Sequence, residues 1–249
     1  MKGAFHAFAT IGTGCMETKQ ILEENIAFMN KYIVIIGVIM KNIITIQHTQ
    51  SEQHINKMIG SWSDWDLTKL GVEQADRIGK RLSKELKGER YVMYSSDLLR
   101  AKHTAEIISD YLGIEPIFTD KLREFNLGEA IGKSKEWARN NLKCPVWSGT
   151  VDWAKNMDEK PFIGAESKSE VWHRLSLFLD KILTNSEDNL IIVSHDGTLS
   201  LLYALWLRLD IKMLETCNLS GKSGGVSFLR EDEEKNRIIA RLNDMHYIK

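Results

Sequence analysis

The chain has 249 residues, 43% apolar and 27% charged, the balance of a globular protein able to bury a substantial core in one large domain or two small ones. A formal net charge of -1 leaves no global field to attract nucleic acid or an anionic membrane, so any anion site must be assembled from local charge. Cys15, Cys144 and Cys217 are scattered; they form no CxxC pair, disulfide framework or zinc spacing, which favours a reducing cytoplasmic setting.

Residues 1–40 read differently from the remainder. Tyr32 to Met40 is strongly apolar, but it is shorter than the ~20 residues that span a bilayer. It also lacks the basic start and small-residue cleavage site of a signal peptide. An extra strand, or sequence outside the native fold, is preferred to a membrane or targeting element. Met40 is a candidate start of the fold proper, and a chain expressed from Met40 is expected to fold and act.

From Ile43 onward strands and helices alternate. Ile43 to Gln47 is an apolar, β-branched run that ends on His48 and breaks into Thr49-Gln50-Ser51. A buried parallel strand delivers a side chain to the carboxyl edge of a sheet in this way. After a polar, tryptophan-bearing loop, Leu70, Ala75, Ile78, Leu82 and Leu86 recur at helical spacing, with Gly88 at the end. Tyr91 to Ser96 is a β-prone run, and Asp97 is placed to cap a helix from Leu98 to Leu112 that stops at Gly113. Pro116 to Thr119 suits an edge strand. Phe125 to Ala165 is irregular, rich in tryptophan and glycine, and reads as a cap insertion over the sheet. Trp137, Trp147, Trp153 and Trp172 either line a substrate pocket or pack the cap down.

Ser169 to Leu183 is the next amphipathic helix. Leu190 to His195 repeats the histidine strand, Thr198 to Leu207 is a buried helix, and Val226–Leu229 with Ile238–Leu242 can form a hairpin. The whole predicts an α/β fold, a three-layer α/β/α arrangement on a mainly parallel central sheet. Two strands ending on histidine point to one site between their tips.

The motifs carrying this site resemble the histidine phosphatase superfamily, of phosphoglycerate mutase-like fold. They are Gln47-His48-Thr49-Gln50-Ser51, Trp62-Ser63-Asp64, Leu67 to Gly71, Ser95 to Ala101 with Thr104-Ala105, Leu122 to Gly128, and Ser194-His195-Asp196-Gly197. They occur in the family's order from about Ile43 to Leu242. The resemblance implies that His48 is a nucleophile forming a phosphohistidine. It implies that a protonated His195 stabilises charge on the phosphoryl oxygens, and that Arg100 clamps them. Glu124 becomes the general acid that protonates the leaving oxygen and then the base that activates water, with a pKa raised by the phosphate. Gln47, Thr49, Ser51 and His54 fall at phosphate- or substrate-binding positions.

Three departures stand out: Gln47 where the family usually has arginine, Thr49 for its glycine, and His54 where asparagine is frequent. An uncharged Gln47 weakens phosphate binding or rate, and His54, Lys57 or Lys133 are candidate compensating cations. Gly221 to Gly225 lacks the spacing of a phosphate loop and reads as a turn. Asp64, Asp66, Asp152 and Asp158 have no metal-ligand pattern, so no metal or other cofactor is expected.

The function expected is hydrolysis of a small phosphomonoester. The alternatives are a phosphoglycerate-type mutase, opposed by Phe125-Asn126-Leu127 where the mutases carry Arg-His-Tyr, and a catalytically weak phospho-ligand binding protein. No motif specifies the substrate or the oligomeric state.

Overall fold

The computed structural model describes residues 41–185 and 189–249. The readings made for residues 1–40 lie outside the described residues. The first strand, β1 (Asn42–Gln47), and the helices α1 (Glu52–Asn56) and α2 (Lys69–Glu85) are followed by β2 (Tyr91–Ser96), α3 (Leu99–Leu112) and the short β3 (Ile117–Thr119). Then come α4 (Lys135–Asn140), α5 (Lys168–Asn185), β4 (Asn189–Ser194), α6 (Asp196–Trp206), β5 (Val226–Glu231) and β6 (Arg237–Asp244).

The six strands form one sheet in the order β3-β2-β4-β1-β5-β6. Pairing is parallel from β3 through β1, then antiparallel to β5 and β6, so β5 and β6 are the expected hairpin and β3 is the expected edge. Alternate residues of β4 divide between the faces. Leu190 and Ile192 pack with Val171, Leu175, Leu179 and Ile182 of α5 and Leu199, Leu201 and Leu202 of α6. Ile191 and Val193 pack with Ile78 and Leu82 of α2 and Ala101, Ala105 and Ile108 of α3. Helices therefore cover both faces, as the α/β/α reading requires.

Two local expectations are corrected. Leu70 is 43% exposed; the buried row of α2 is Gly71, Ala75, Ile78, Gly79 and Leu82. Gly71 occupies the contact because a Cβ there would stand 1.9 Å from the Gln50 carbonyl oxygen, and Leu70 is turned about 100° away around the helix. Asp97 does not cap α3. It forms a two-pronged pair with Arg123, both distances 2.7 Å. The Leu98 amide instead donates to Ser96 Oγ, and the Leu99 amide to Asp64 Oδ1 from the loop between α1 and α2, each at 3.3 Å.

Residues 125–165 contain a 3-10 turn (Gly128–Ala130) and α4, and otherwise irregular chain. Trp153, Met157, Phe162 and Ala138 of this cap segment are buried in the same core as α5 and α6, with Trp137, Trp147 and Trp172 packed against it. Of the two roles open to the tryptophans, packing is the one seen; none of the four lines the cavity described next.

Candidate active site

Adjacent parallel strands β1 and β4 pair Gln47 with Ser194, so the next residue of each, His48 and His195, leaves the sheet at the same edge. Their ring centroids are 5.1 Å apart. His48 is 3% exposed. Its Nδ1–H donates to the Thr49 carbonyl at 2.8 Å, a tautomer that leaves Nε2 as the unprotonated, lone-pair nitrogen. Burial, Arg100 and His54 hold its pKa well below the ordinary 6.5, so the ring is neutral near pH 7. It borders a cavity of about 310 Å³.

Arg100, in the first turn of α3, is completely buried. Its Nε donates to His48 Nε2 at 3.2 Å, and its two terminal nitrogens donate to the carbonyls of Ser63 and Ser61 at 3.0 and 2.8 Å. It makes no ion pair among the described residues. Burial lowers its pKa to about 10, opposed by Glu124 and Asp64, so it stays charged. A buried cation held only by neutral acceptors, two carbonyls and an imidazole nitrogen, is a site prepared for an anion.

His195 is fully buried. Its Nε2 bonds Ser96 Oγ at 2.8 Å, while Nδ1 has no partner among the described residues. Burial, Arg100 and His48 depress its pKa well below 6.5. Its neighbours include a guanidinium and no paired carboxylate, so the protein's own groups favour the neutral ring.

Glu124 follows the 3-10 turn Asp120–Leu122. Its backbone carbonyl accepts from Trp62 Nε1 at 2.7 Å and from Arg174 at 3.1 Å. Its carboxylate accepts from the amides of Phe125, Gly197 and Thr198, the last two in the first turn of α6. A Cβ on Gly197 would stand 2.8 Å from Glu124 Oε1, so the glycine after His195-Asp196 admits this carboxylate. Burial first, then Asp152 and Asp196, raise the Glu124 pKa to about 7, against the opposing amide of Phe125 and charge of Arg100.

The other anticipated residues divide. Gln47 and His54 line the cavity; Thr49 and Ser51 do not. Thr49 is buried and bonded to Thr104 through its amide and hydroxyl. Ser51 starts α1 and bonds His54 Nδ1 through its amide and hydroxyl. Both brace the loop that carries His48. Gln47 is 8% exposed, and its side chain has no hydrogen bond among the described residues.

The compensating cations are also corrected. His54 stacks on His48 at 5.5 Å, and burial, Arg100 and Lys135 lower its pKa to about 4, so it is neutral. Lys133 lies over the Trp137 ring, and neither it nor Lys57 reaches the cavity. Lys135 and Arg139 of α4 do, as do Gln53, Asp152 and Asp196. Asp196 adjoins a motif histidine and was accessible to sequence reasoning on that ground. Asp152 and α4 lie in irregular chain that carries no local signal.

The profile of the histidine phosphatase superfamily (branch 1) matches residues 43–244. A protein of Hydrogenobacter thermophilus bearing the name "Putative phosphoserine phosphatase 2" is 30% identical over 200 residues, 80% of this chain and 94% of that one. A 2,3-bisphosphoglycerate-dependent phosphoglycerate mutase of Methylorubrum extorquens is 28% identical over 165 residues, 63% of this chain and 74% of its own. Among solved structures, mycobacterial glucosyl-3-phosphoglycerate phosphatase superposes with a TM-score of 0.68 at 19% identity, covering 82% of this chain and 99% of that one. The alpha-ribazole phosphatase of Shigella flexneri gives 0.67 at 19%, covering 82% and 96%. At such identities the structural likeness is one of fold. The profile match takes in both histidine strands, the buried arginine and the glutamate between them, and the chain belongs to the histidine phosphatase superfamily.

Proposed function

We propose that the protein is a phosphatase that hydrolyses a small phosphomonoester through a phosphohistidine on His48. The observation that carries this reading is a neutral histidine whose unprotonated Nε2 accepts from Arg100 at the edge of a cavity, with that buried arginine making no ion pair among the described residues. In the first step His48 Nε2 attacks phosphorus while the bond to the leaving oxygen breaks, and Glu124 gives that oxygen its proton. In the second, the Glu124 carboxylate takes a proton from water, the water oxygen attacks phosphorus, and the N–P bond breaks to release inorganic phosphate. Arg100 and the N–H groups of His195 and Gln47 stabilise the equatorial oxygens.

A pKa of about 7 suits Glu124 to both proton transfers near neutral pH, which is the property a group serving as acid and then base requires. Neutral His195 contributes as a hydrogen-bond donor, and a bound phosphoryl dianion favours its protonation. The named phosphatase and mutase relatives both support phosphoryl transfer at this site. Phe125 is buried in the core and Asn126 turns to the Gly128 amide at 2.8 Å, so neither supplies the polar contacts with which the mutase reading is associated. The free Cys144 and Cys217 are in keeping with a cytoplasmic enzyme.

Trapping with radiolabelled aryl phosphate tests the reading. Acid-labile label on His48, absent in His48→Ala, with release of inorganic phosphate is the expected result. Label that passes only to phosphoglycerate indicates a mutase, and phosphate binding without label indicates a binding protein; either overturns the proposal.

A further inference from the structure

The cavity holds more charge than phosphoryl transfer uses. Lys135 and Arg139 stand one helical turn apart on α4, and both line it. Like charges at that spacing repel, yet neither side chain has an ion pair or hydrogen bond among the described residues. Asp152 lines the same cavity. Lys135 acts on its carboxyl only as the smallest of several influences, and no ion pair forms between them. Asp196, by contrast, is occupied by the Gly221 amide and the Ser220 hydroxyl, each at 2.7 Å. Two cations and one carboxylate without counter-ions therefore share the cavity with the His48 and Arg100 end.

We propose that the substrate is a phosphorylated amino acid or a close analogue, its carboxylate taken by Lys135 and Arg139 and its ammonium by Asp152. This rests on the phosphatase reading for placing the phosphoryl group at His48 and Arg100. A guanidinium meets both oxygens of a carboxylate at once, and an ammonium adds a point charge. A second phosphate suits the cavity less, since its dianion would lie among Asp152, Asp196 and Glu124. A buried carboxylate without a counter-ion is better matched by an ammonium than by a neutral donor. The cavity volume of about 310 Å³ is at the small end of ligand pockets, ~300–1,000 Å³, which suits a single small metabolite.

Calorimetry with three phosphonates, which the enzyme does not cleave, tests this. They are 2-amino-4-phosphonobutyrate, 3-aminopropylphosphonate lacking the carboxylate, and 4-phosphonobutyrate lacking the amine. At low salt the wild type is expected to bind the first at least about tenfold more tightly than either of the others, the scale of one charge-assisted contact. Lys135→Met with Arg139→Met should abolish the discrimination for the carboxylate and keep that for the amine; Asp152→Asn should do the reverse. Equal affinity of the wild type for all three overturns the proposal, as does a parallel loss for all three in the variants. A protein that discriminates among the phosphonates but takes no label at His48 loses the phosphatase reading and keeps this one. A protein that takes label without discriminating loses this one alone.

Discussion

Glu124 sits between opposing influences. Backbone amides of Phe125, Gly197 and Thr198 favour its carboxylate, while burial and two neighbouring carboxyls favour the acid and win, at a pKa of about 7. Cleavage of an alkyl phosphate, whose leaving group needs a proton, is expected to fall as pH rises through that value. Cleavage of an aryl phosphate is expected to fall less. Glu124→Gln should form the phosphohistidine from an aryl phosphate and then stall, read as a burst equal to the enzyme concentration. Stability carries the same signature. The folded pKa lies above the ordinary 4.5, so the native state binds more protons than the unfolded chain between those values. This group's contribution is fully present below pH 4.5 and is lost as pH rises to 7, by ~3 kcal/mol. Melting temperatures of wild type and Glu124→Gln from pH 4 to 8 should show that slope in the wild type and its loss in the variant. Gln47 is the other decisive residue. It lines the cavity without a side-chain partner, so Gln47→Arg adds a charge where phosphate is expected to bind. Phosphatase kcat/KM should rise by ~10-fold or more; an unchanged or lower value counts against an under-charged phosphate site.

At the scale of elements, the nucleophile's position depends on a contact between a loop and a helix. The Gln50 carbonyl, two residues after His48, accepts from the Thr68 amide at 3.0 Å and lies where a side chain at Gly71 would stand. Alanine normally gains ~1 kcal/mol over glycine inside a helix. Here the 1.9 Å approach is to backbone, which cannot rotate away. Gly71→Ala is expected to destabilise by ~1–3 kcal/mol and to lower kcat, measured by urea unfolding beside aryl phosphate turnover. The strands and long helices were legible from periodicity, since their apolar rows face a core on a fixed repeat. Leu70 and Asp97 were misplaced for a reason common to both. The first turn of a helix is set by what packs against it, and Gln50, Asp64 and Arg123 come from elsewhere in the chain.

At the scale of the molecule, aromatic packing holds the cap segment together, and its buried residues share a core with the sheet and the helices α5 and α6. Trp153 is 3% exposed, with Phe125 at 5.7 Å and Trp147 at 6.3 Å between ring centroids. Lys168 Nζ lies 4.6 Å above its ring. Trp153→Ala should cost ~3–5 kcal/mol. Because Asp152 adjoins it and lines the cavity, KM should rise as well. Trp172→Ala, at a half-buried position away from the cavity, should leave KM unchanged, and steady-state kinetics with thermal unfolding of both variants checks this.

The sequence by itself determined that His48 and His195 each end a strand, because an apolar run that stops at a polar residue exposes that residue at the edge of a buried sheet; that the two strands are neighbours is a fact of the sheet order. It also marked Arg100 and Glu124, whose surrounding motifs are local. Only the tertiary structure decided the protonation of these groups, since burial and opposing charges come from segments distant in the chain. His54 is neutral because burial desolvates it and Arg100 and Lys135 add positive charge beside it. Lys135, Arg139 and Asp152 meet in one cavity because the cap folds back over the strand tips, and no repeat or spacing in residues 125–165 encodes that return.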